Sequence, residues 1–300
     1  YDLARQSGQI GYALGSLLVL GAIALNLGKL EPAREYLEIA IEQYDLDQYR
    51  DLAHSLGQDP AVGSHAFLSF VLWHQGYPEQ AIAAKDAGLH LAAELNHPYS
   101  HGMAASFAAM LLHMLRLRPE CEAQASAALQ ISGGHYPMWE SIARFTHGWS
   151  ITERGRAQKG ILEVQQGVDL WESTGAHLAF PYRHALLADA CLAVGERAEG
   201  LQAIAESFTY PEEVWWLAEQ HRLRAELLLL EPGFESEAEA DLRKALSIAQ
   251  DQGSRAFELR AALSLARFLR AQGRSAEARA PLAECYAWFS EGFDLPDLVD

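Results

Sequence analysis

The sequence predicts an all-α protein, a right-handed α-solenoid of about seven helical hairpins. A short turn pattern recurs along the 300 residues, and no useful length of the alternation typical of half-buried strands is present. Half of the residues are hydrophobic, which supplies the continuous core that stacked hairpins need. We therefore expect residues 1–300 to form a single repeat domain.

The recurring turn places a glycine five residues before a small residue. The glycine can adopt the left-handed conformation that ends a first helix, and the polar residues after it suit the start of a second. The small residue lies where the two helices touch, because a larger side chain would push them apart. The clear copies are Gly28 with Ala33, Gly76 with Ala81, Gly155 with Gly160, Gly195 with Gly200, and Gly273 with Ala278.

Two weaker copies fill the gaps between the clear ones. One has Gly233 before Ala238, and the other, at residues 118–123, lacks the glycine but carries Pro119, which suits a helix start. With Ala123 as its small residue, the seven small residues follow at spacings of 48, 42, 37, 40, 38 and 40. The pattern is tetratricopeptide-like, but its period exceeds the standard length of about 34, so enlarged units are predicted.

Residues 10–27 leave an alternative open for the first hairpin. No charged residue occurs between Arg5 and Lys29, and the stretch approaches the length of a membrane span. However, it contains two polar residues and three glycines, and Gly21 and Ala33 stand at tetratricopeptide spacing. We therefore predict a buried solenoid helix and no membrane association, with a membrane span as the alternative.

The charge and the cysteines exclude several classes of protein. Lysine and arginine number 23 against 40 aspartate and glutamate, a net charge of -17, and no run of five basic residues occurs. Nucleic acid is therefore not expected as a direct partner. The three cysteines are far apart and fit neither a disulfide framework nor a zinc site. They are predicted to be buried thiols in a reducing, cytoplasmic compartment.

Catalytic and cofactor patterns are missing from the sequence. There is no phosphate-binding loop, no Gly-x-Gly-x-x-Gly after a strand and no Gly-x-Ser-x-Gly elbow, so no catalytic residue is predicted. His97 and His101 are four residues apart, but no third ligand stands at companion spacing. We expect these histidines to be linker or capping residues, and we expect no metal or other cofactor.

The concave side of a solenoid, lined by the first helix of each hairpin, is the predicted binding surface. Its expected residues form an aromatic half beside a charged half, and aromatic and arginine side chains dominate binding energies. The alternative is that the aromatic rings fill the core while the charges pair with one another. The predicted inward positions are Phe70, Trp73, His74, Phe145, Trp149, Glu153, Tyr182, Asp189, Glu219, Arg222, Glu226, Arg260 and Arg267.

Several segments resemble one family. They are residues 59–63 (DPAVG), 71–81 (VLWHQGYPEQA), 97–100 (HPYS), 173–176 (STGA), 219–228 (EQHRLRAELL), 255–267 (RAFELRAALSLAR) and 288–298 (WFSEGFDLPDL). Together they resemble the C-terminal tetratricopeptide region of bacterial multidomain signalling proteins. Those proteins carry a class III adenylate/guanylate cyclase or a DNA-binding domain, followed by a signal-transduction ATPase domain. The absent turn glycine near Arg118, and Ala225 in place of a frequent glycine, depart from the family pattern.

The resemblance implies a role for the chain but no chemistry of its own. We expect a fragment of a longer protein, in which this segment binds a protein, peptide or small-molecule ligand and regulates an upstream ATPase or effector domain. A structural spacer or a homo-oligomerisation platform without a ligand is the alternative.

Overall fold

The computed structural model describes residues 1–152, 155–176 and 179–299, which form eighteen helices. In chain order they are α1 (Asp2–Gln6), α2 (Ile10–Asn26), α3 (Leu30–Glu42), α4 (Leu46–Tyr49), α5 (Leu52–Leu56), α6 (Pro60–His74), α7 (Pro78–Leu95), α8 (Pro98–Met114), α9 (Arg118–Ser132), α10 (Pro137–Ile151), α11 (Ala157–Ser173), α12 (Phe180–Leu192), α13 (Arg197–Ser207), α14 (Leu217–Leu228), α15 (Glu235–Gln252), α16 (Arg255–Ala271), α17 (Ser275–Ala287) and α18 (Pro296–Val299).

The long helices pack in consecutive pairs, which make seven hairpins among the described residues. The pairs are α2 with α3, α6 with α7, α8 with α9, α10 with α11, α12 with α13, α14 with α15, and α16 with α17. The predicted α-solenoid and its number of units are therefore confirmed. The long first spacing also has a structural reason, since α4 and α5 are inserted between the first two hairpins. The carboxylate of Asp45 caps α4.

The turn residue before the second helix is left-handed in every hairpin. Six of these residues are the predicted glycines, with φ between 68° for Gly28 and 99° for Gly233. In the third hairpin the same position is Arg116, with φ of 57°. This conformation costs a residue with a Cβ atom roughly 1–2 kcal/mol. The turn glycine is thus replaced by an arginine that keeps the same backbone geometry.

The small residue of the third hairpin is Cys121, and the prediction of Ala123 was wrong. In the other hairpins the small residue lies five positions after the left-handed residue, and Cys121 stands five positions after Arg116. Cys121 is fully buried, whereas Ala123 is exposed. With Cys121 in place, the spacings after the first become 40, 39, 40, 38 and 40. The enlarged repeat is therefore nearly uniform.

Glycines bring the two helices of the fourth hairpin, α10 and α11, close together. A Cβ atom on Gly148 would come within 2.6 Å of the Gly160 carbonyl oxygen. One on Gly167 would lie 2.8 Å from both the Phe145 nitrogen and the Ser141 oxygen. Such distances are shorter than van der Waals contact, so these glycines allow the two backbones to approach each other.

The solenoid closes on itself, because its first hairpins contact its last ones. His74 at the end of α6 lies 2.9 Å from the Ser254 hydroxyl, at the start of α16. Glu291 accepts hydrogen bonds from the first backbone N–H groups of α7, at 2.9 Å from Glu79 and 3.2 Å from Gln80. The Gly292 N–H in turn donates to the Glu79 carboxylate at 3.0 Å. The C-terminal segment therefore caps a helix of the second hairpin.

Helix α2 forms the first helix of the first hairpin, as the repeat pattern predicts for residues 10–27. Its inner positions, such as Leu14, Leu17 and Gly21, are buried, and Leu37 of α3 packs against Gly21. None of the described helices has the length and apolarity needed to cross a membrane. The three cysteines are buried and unpaired, which confirms their predicted burial.

Candidate functional site

The structure brings the predicted inward residues together around the centre of the closed solenoid, on what we call the inner face. Nine of the thirteen predicted inward residues are buried: Phe70, Trp73, His74, Phe145, Trp149, Tyr182, Glu219, Arg222 and Arg260. Arg267 is exposed, two turns further along α16 than Arg260. Asp189 and Glu226 are partly buried, and Glu153 lies outside the described residues.

Aromatic rings from distant hairpins meet in the middle of the inner face. Trp73 lies 6.1 Å from Trp216 and 5.2 Å from Phe257, measured between ring centroids. Tyr182 stands edge-on to Trp216 at 4.8 Å. Arg260 lies over the Trp73 ring at 5.0 Å. Rings at these separations gain edge-to-face and cation–π attraction beyond their burial, so they hold the second, fifth and seventh hairpins together.

A small cavity remains on one side of these rings, and we call it the aromatic cavity. The space open to the centre of a water-sized sphere is about 30 Å³. Its walls are almost entirely apolar, and Arg183 and Asn26 are its two polar contributors beside the indoles. The lining residues are Leu25, Asn26, Phe67, Phe70, Phe107, Met110, Ile142, Phe145, Trp171, Ala179, Arg183 and Trp215.

The charged residues form a second group, the polar cluster, made of Arg116, Asp189, Glu219, Arg222, Arg260 and Asp297. Within it, Nε and Nη2 of Arg222 donate to the two carboxylate oxygens of Glu219 at 2.8 and 2.9 Å. Burial alone would raise the pKa of Glu219, but Arg222, Arg260 and Arg116 lower it to about 2. Glu219 is therefore ionised, and its charge is offset by arginines from three hairpins.

Asp297 extends the polar cluster into the C-terminal segment. Its carboxylate accepts from Nε and Nη2 of Arg260 at 2.8 and 2.7 Å, and it lies 3.3 Å from Nε of Arg116. Arg260 also donates to the Met114 carbonyl oxygen at the end of α8. One arginine of the last hairpin thus links the third hairpin to the chain end, through charge-assisted hydrogen bonds.

Asp189 joins the polar cluster to the aromatic rings. Its carboxylate accepts the indole N–H of Trp149 at 2.6 Å. Burial would raise the pKa of Asp189, yet Arg116, His113 and Arg222 hold it well below its usual range. Burial also lowers the pKa of His113 to about 3, and the His113 Nδ1 lies 2.9 Å from the Tyr182 hydroxyl. The neutral imidazole therefore sits between an ionised carboxylate and a phenol.

Several residues of this site were missed by the sequence-based prediction, among them Arg116, Arg183, Trp216 and Asp297. Arg116 was hidden because the register of the third hairpin was wrong; counting back five residues from Cys121 identifies its position. Trp216 and Asp297 lie outside the repeat, before α14 and in α18. Arg183 follows the predicted Tyr182 by one residue, so the assumed helix face excluded it. No repeat signal marks Trp216 or Asp297, although Asp297 lies in the family-like segment 288–298.

One member of the histidine pair His97 and His101 has a structural role at a helix start. His97 is the N-cap of α8, and its Nδ1 accepts from the Ser100 N–H at 3.3 Å, which confirms a capping role. Its ring lies edge-on to His54 at 5.1 Å. Among the described residues, no group of three His, Cys, Asp or Glu side chains is placed to hold a metal ion.

Comparisons with known proteins give limited relationships. No protein-family model matches the chain. An uncharacterised protein of Rhizobium meliloti (strain 1021) is 25% identical over 251 residues, which is 81% of this chain. The match occupies 24% of that protein, so the chain spans about a quarter of its length. One similar solved structure is a signal transduction ATPase with numerous domains (STAND) protein with a tetratricopeptide repeat sensor, from Pyrococcus horikoshii. The similarity covers 96% of this chain and 43% of that chain, with 14% sequence identity and a TM-score of 0.48.

Proposed function

We propose that the chain is a non-catalytic sensor or interaction region that binds a protein, peptide or small ligand on its inner face. The observation that supports it most is the closure of the solenoid through side chains of the inner face itself. His74, Trp73 and Arg260 join hairpins that are distant in sequence, through hydrogen bonds to Ser254 and to the Met114 carbonyl and a ring contact with Phe257. A ligand that inserts among these side chains has to alter the contacts that close the solenoid.

The proposed mechanism is a shift between closed and more open arrangements of the hairpins. A ligand shifts such an equilibrium only by the difference in its affinity for the two arrangements. Opening exposes the polar cluster and the aromatic rings, which then offer cationic, anionic and aromatic contacts. The proposed coupling of this shift to an upstream ATPase or effector domain rests on the sequence resemblance. The proposed cytoplasmic location rests on the sequence alone.

A ligand screen on residues 1–300 tests this proposal. Peptide and metabolite libraries are screened by thermal shift, and every hit is titrated against Trp149→Phe and Arg222→Lys. These variants keep an aromatic ring and a positive charge, but they remove the Trp149 indole N–H bond to Asp189 and the paired Arg222 bonds to Glu219. We expect at least one hit whose affinity falls about tenfold or more in one variant, and no change in Arg243→Lys, an exposed site on α15. Hits that bind both inner variants with unchanged affinity would contradict binding on the inner face.

A structural role without a ligand is the second candidate, and the outer side of α2 favours it. Tyr12, Val19 and Ile23 are each more than half exposed on this uncharged helix. Neighbouring exposed apolar residues form a patch that suits contact with another protein surface. A second copy of the chain is the partner that the oligomerisation alternative requires.

Light scattering separates the two candidates. If the chain is a platform, it forms a dimer at micromolar concentration, and Val19→Asp with Ile23→Asp returns it to a monomer without unfolding it. Circular dichroism and the thermal midpoint serve as folding controls. If the chain is a monomer at all concentrations and a ligand binds on the inner face, the result supports the sensor function and contradicts the oligomerisation platform.

A further inference from the structure

Arg183 is a buried cation whose hydrogen-bonding capacity is mostly unused. Its side chain is only 2% exposed and contributes to the wall of the aromatic cavity. One guanidinium nitrogen, Nη2, donates to Glu172 at 3.3 Å, and the group lies 4.5 Å above the Phe180 ring. Nε and Nη1 are buried without a hydrogen-bond partner among the described residues. Each of these N–H groups has lost its hydrogen bonds to water without gaining one in the protein, which costs free energy.

Unpartnered donors lie beside the cavity, each covered by protein atoms, and few acceptors are near them. The indole N–H of Trp171, another lining residue, is likewise buried without a partner in the described part of the chain. The Asn26 side-chain amide already donates to the Ala22 carbonyl at 2.8 Å. The remaining walls are aromatic and aliphatic carbon. A group that fits this environment accepts hydrogen bonds at one end and is apolar at the other.

The charge around Arg183 favours an anion over a neutral acceptor. Its ion-pair partner Glu172 is 48% exposed, so water screens that interaction. A second carboxylate, Glu213, acts on Arg183 from the loop before α14, but burial raises the pKa of Glu213 to about 7. Near neutral pH, Glu213 is therefore ionised in only part of the molecules. Arginine remains protonated even in buried sites, so the cavity wall keeps a poorly compensated positive charge.

We propose that the aromatic cavity binds a small monocarboxylate: the Arg183 side chain turns toward it, so that its unpartnered N–H groups donate to the carboxylate oxygens, and the alkyl end of the acid packs on the aromatic walls. A volume of about 30 Å³ is roughly two to three times what a single water molecule needs, so the cavity selects compact acids such as acetate or propionate. This inference rests on the proposed ligand-binding function of the inner face and names a ligand class for part of it.

A size series of carboxylates tests the inference on residues 1–300. Formate, acetate, propionate, butyrate and benzoate are added as sodium salts at fixed ionic strength, with chloride and acetamide as the charge and shape controls. We expect acetate or propionate to raise the thermal midpoint and to bind with a millimolar dissociation constant by calorimetry. Chloride and acetamide should give no comparable shift, since one lacks the apolar end and the other the charge.

Two variants of cavity residues and one control variant identify the site. Arg183→Met should weaken the preferred acid at least tenfold, while the thermal midpoint without ligand stays the same or rises, because a buried cation with unused donors is removed. Arg243→Met, at an exposed arginine, should leave acid binding unchanged. Phe145→Leu widens the cavity and should move the preference toward butyrate; this variant still reports on the site if Arg183→Met does not fold.

The possible outcomes separate this inference from the proposed function. Equal shifts with chloride and carboxylates, or unchanged acid binding in Arg183→Met, would overturn the carboxylate site. If that happens while a screening hit still depends on Trp149 or Arg222, the inner face binds another class of ligand. If no hit depends on the inner face and no carboxylate binds, both proposals are wrong.

Discussion

Arg116 combines two features that are uncommon in one residue. It holds a left-handed backbone conformation at a turn where six other hairpins have glycine. Its guanidinium lies 3.7 Å from Glu219 and 3.3 Å from Asp297, which belong to the sixth hairpin and the C-terminal segment. Strained backbone of this kind persists where the surroundings determine the side chain's position. We infer that the ion pairs hold Arg116 in place despite its backbone cost.

Arg116→Gly separates the two contributions. Glycine relieves a backbone strain of roughly 1 kcal/mol. Removing the partly exposed guanidinium costs about 2 kcal/mol, because Glu219 and Asp297 lose one counter-charge but keep Arg222 and Arg260. We therefore expect a net loss of about 1 kcal/mol in the free energy of unfolding, measured in urea. Asn96→Gly is the matched control, because Asn96 also has a left-handed backbone, with φ of 51°. Equal or higher stability of Arg116→Gly would show that the ion pairs contribute little.

Glu213 predicts a pH dependence of stability at the residue scale. The Ala179 N–H, Arg183 and Trp215 surround its carboxyl group, and burial raises the pKa to about 7 from 4.5. The folded state thus holds a proton that the unfolded state has released between these two values. The resulting stability is complete below about pH 4.5 and is lost as the pH rises through 7.

Glu213→Gln should remove this dependence. Because the carboxyl group is only partly buried, the expected effect is reduced to about 1 kcal/mol. The variant should match the parent chain near pH 5 and exceed its free energy of unfolding near pH 8. Glu212→Gln, at the exposed neighbour, should follow the parent at both pH values. A constant difference between Glu213→Gln and the parent across this range would count against the shifted pKa.

Among the elements, the α10–α11 pair depends most on the absence of side chains. Gly167→Ala places a methyl group 2.8 Å from two backbone atoms of α10, so the helices have to separate. We expect a loss of about 2 kcal/mol in the free energy of unfolding. Gly15→Ala in α2 is the control, because its methyl group would lie at an ordinary 3.5 Å from the Leu56 side chain. That variant should gain up to about 1 kcal/mol from helix propensity. Similar changes in both would refute the packing argument.

The hairpins could be predicted from the sequence because each turn is determined locally. A left-handed residue followed five positions later by a small one specifies both the end of one helix and the contact with the next. The third hairpin was misaligned because Arg116 takes the left-handed conformation without being glycine. Cys121 was read as an ordinary buried thiol, although it serves as the small contact residue. A local pattern fails where contacts with distant residues, such as those of Arg116 with Glu219 and Asp297, hold the backbone in a conformation that the residue type does not favour.

At the scale of the whole molecule, closure of the solenoid could not be predicted. The repeat register placed Trp73, His74 and Arg260 on the inner face, but it did not give their partners. Those partners include Trp216 and Asp297, which lie in segments without the repeat pattern. The rotation from one hairpin to the next accumulates over seven units, so small differences decide whether the ends meet. One contact that forms only because the ends meet is the hydrogen bond from the Val214 N–H to the Asn26 carbonyl oxygen, at 2.8 Å.

Closure also places two titratable histidines at the centre of the molecule. Burial, together with the charge of Arg260, lowers the pKa of His74 to about 3. Burial lowers that of His113 to the same value, although Asp189 opposes the change. Both imidazoles are neutral in the folded chain, whereas the unfolded chain takes up protons near pH 6.5. The stability they contribute is complete above about pH 6.5 and is lost as the pH falls below it.

His74→Gln tests whether the closed arrangement is sensitive to acid. Between about pH 6.5 and 5, each histidine should lower the free energy of unfolding by about 1 kcal/mol for each pH unit, because the unfolded chain becomes fully protonated only gradually below pH 6.5. Replacing His74 should therefore reduce the slope of stability against pH by that amount, whatever it does to stability at neutral pH. His90→Gln, at a histidine that is mostly exposed on α7, should leave the slope unchanged. Urea unfolding at several pH values measures the slopes, and equal slopes for His74→Gln and the parent chain would mean that protonation of His74 does not oppose closure.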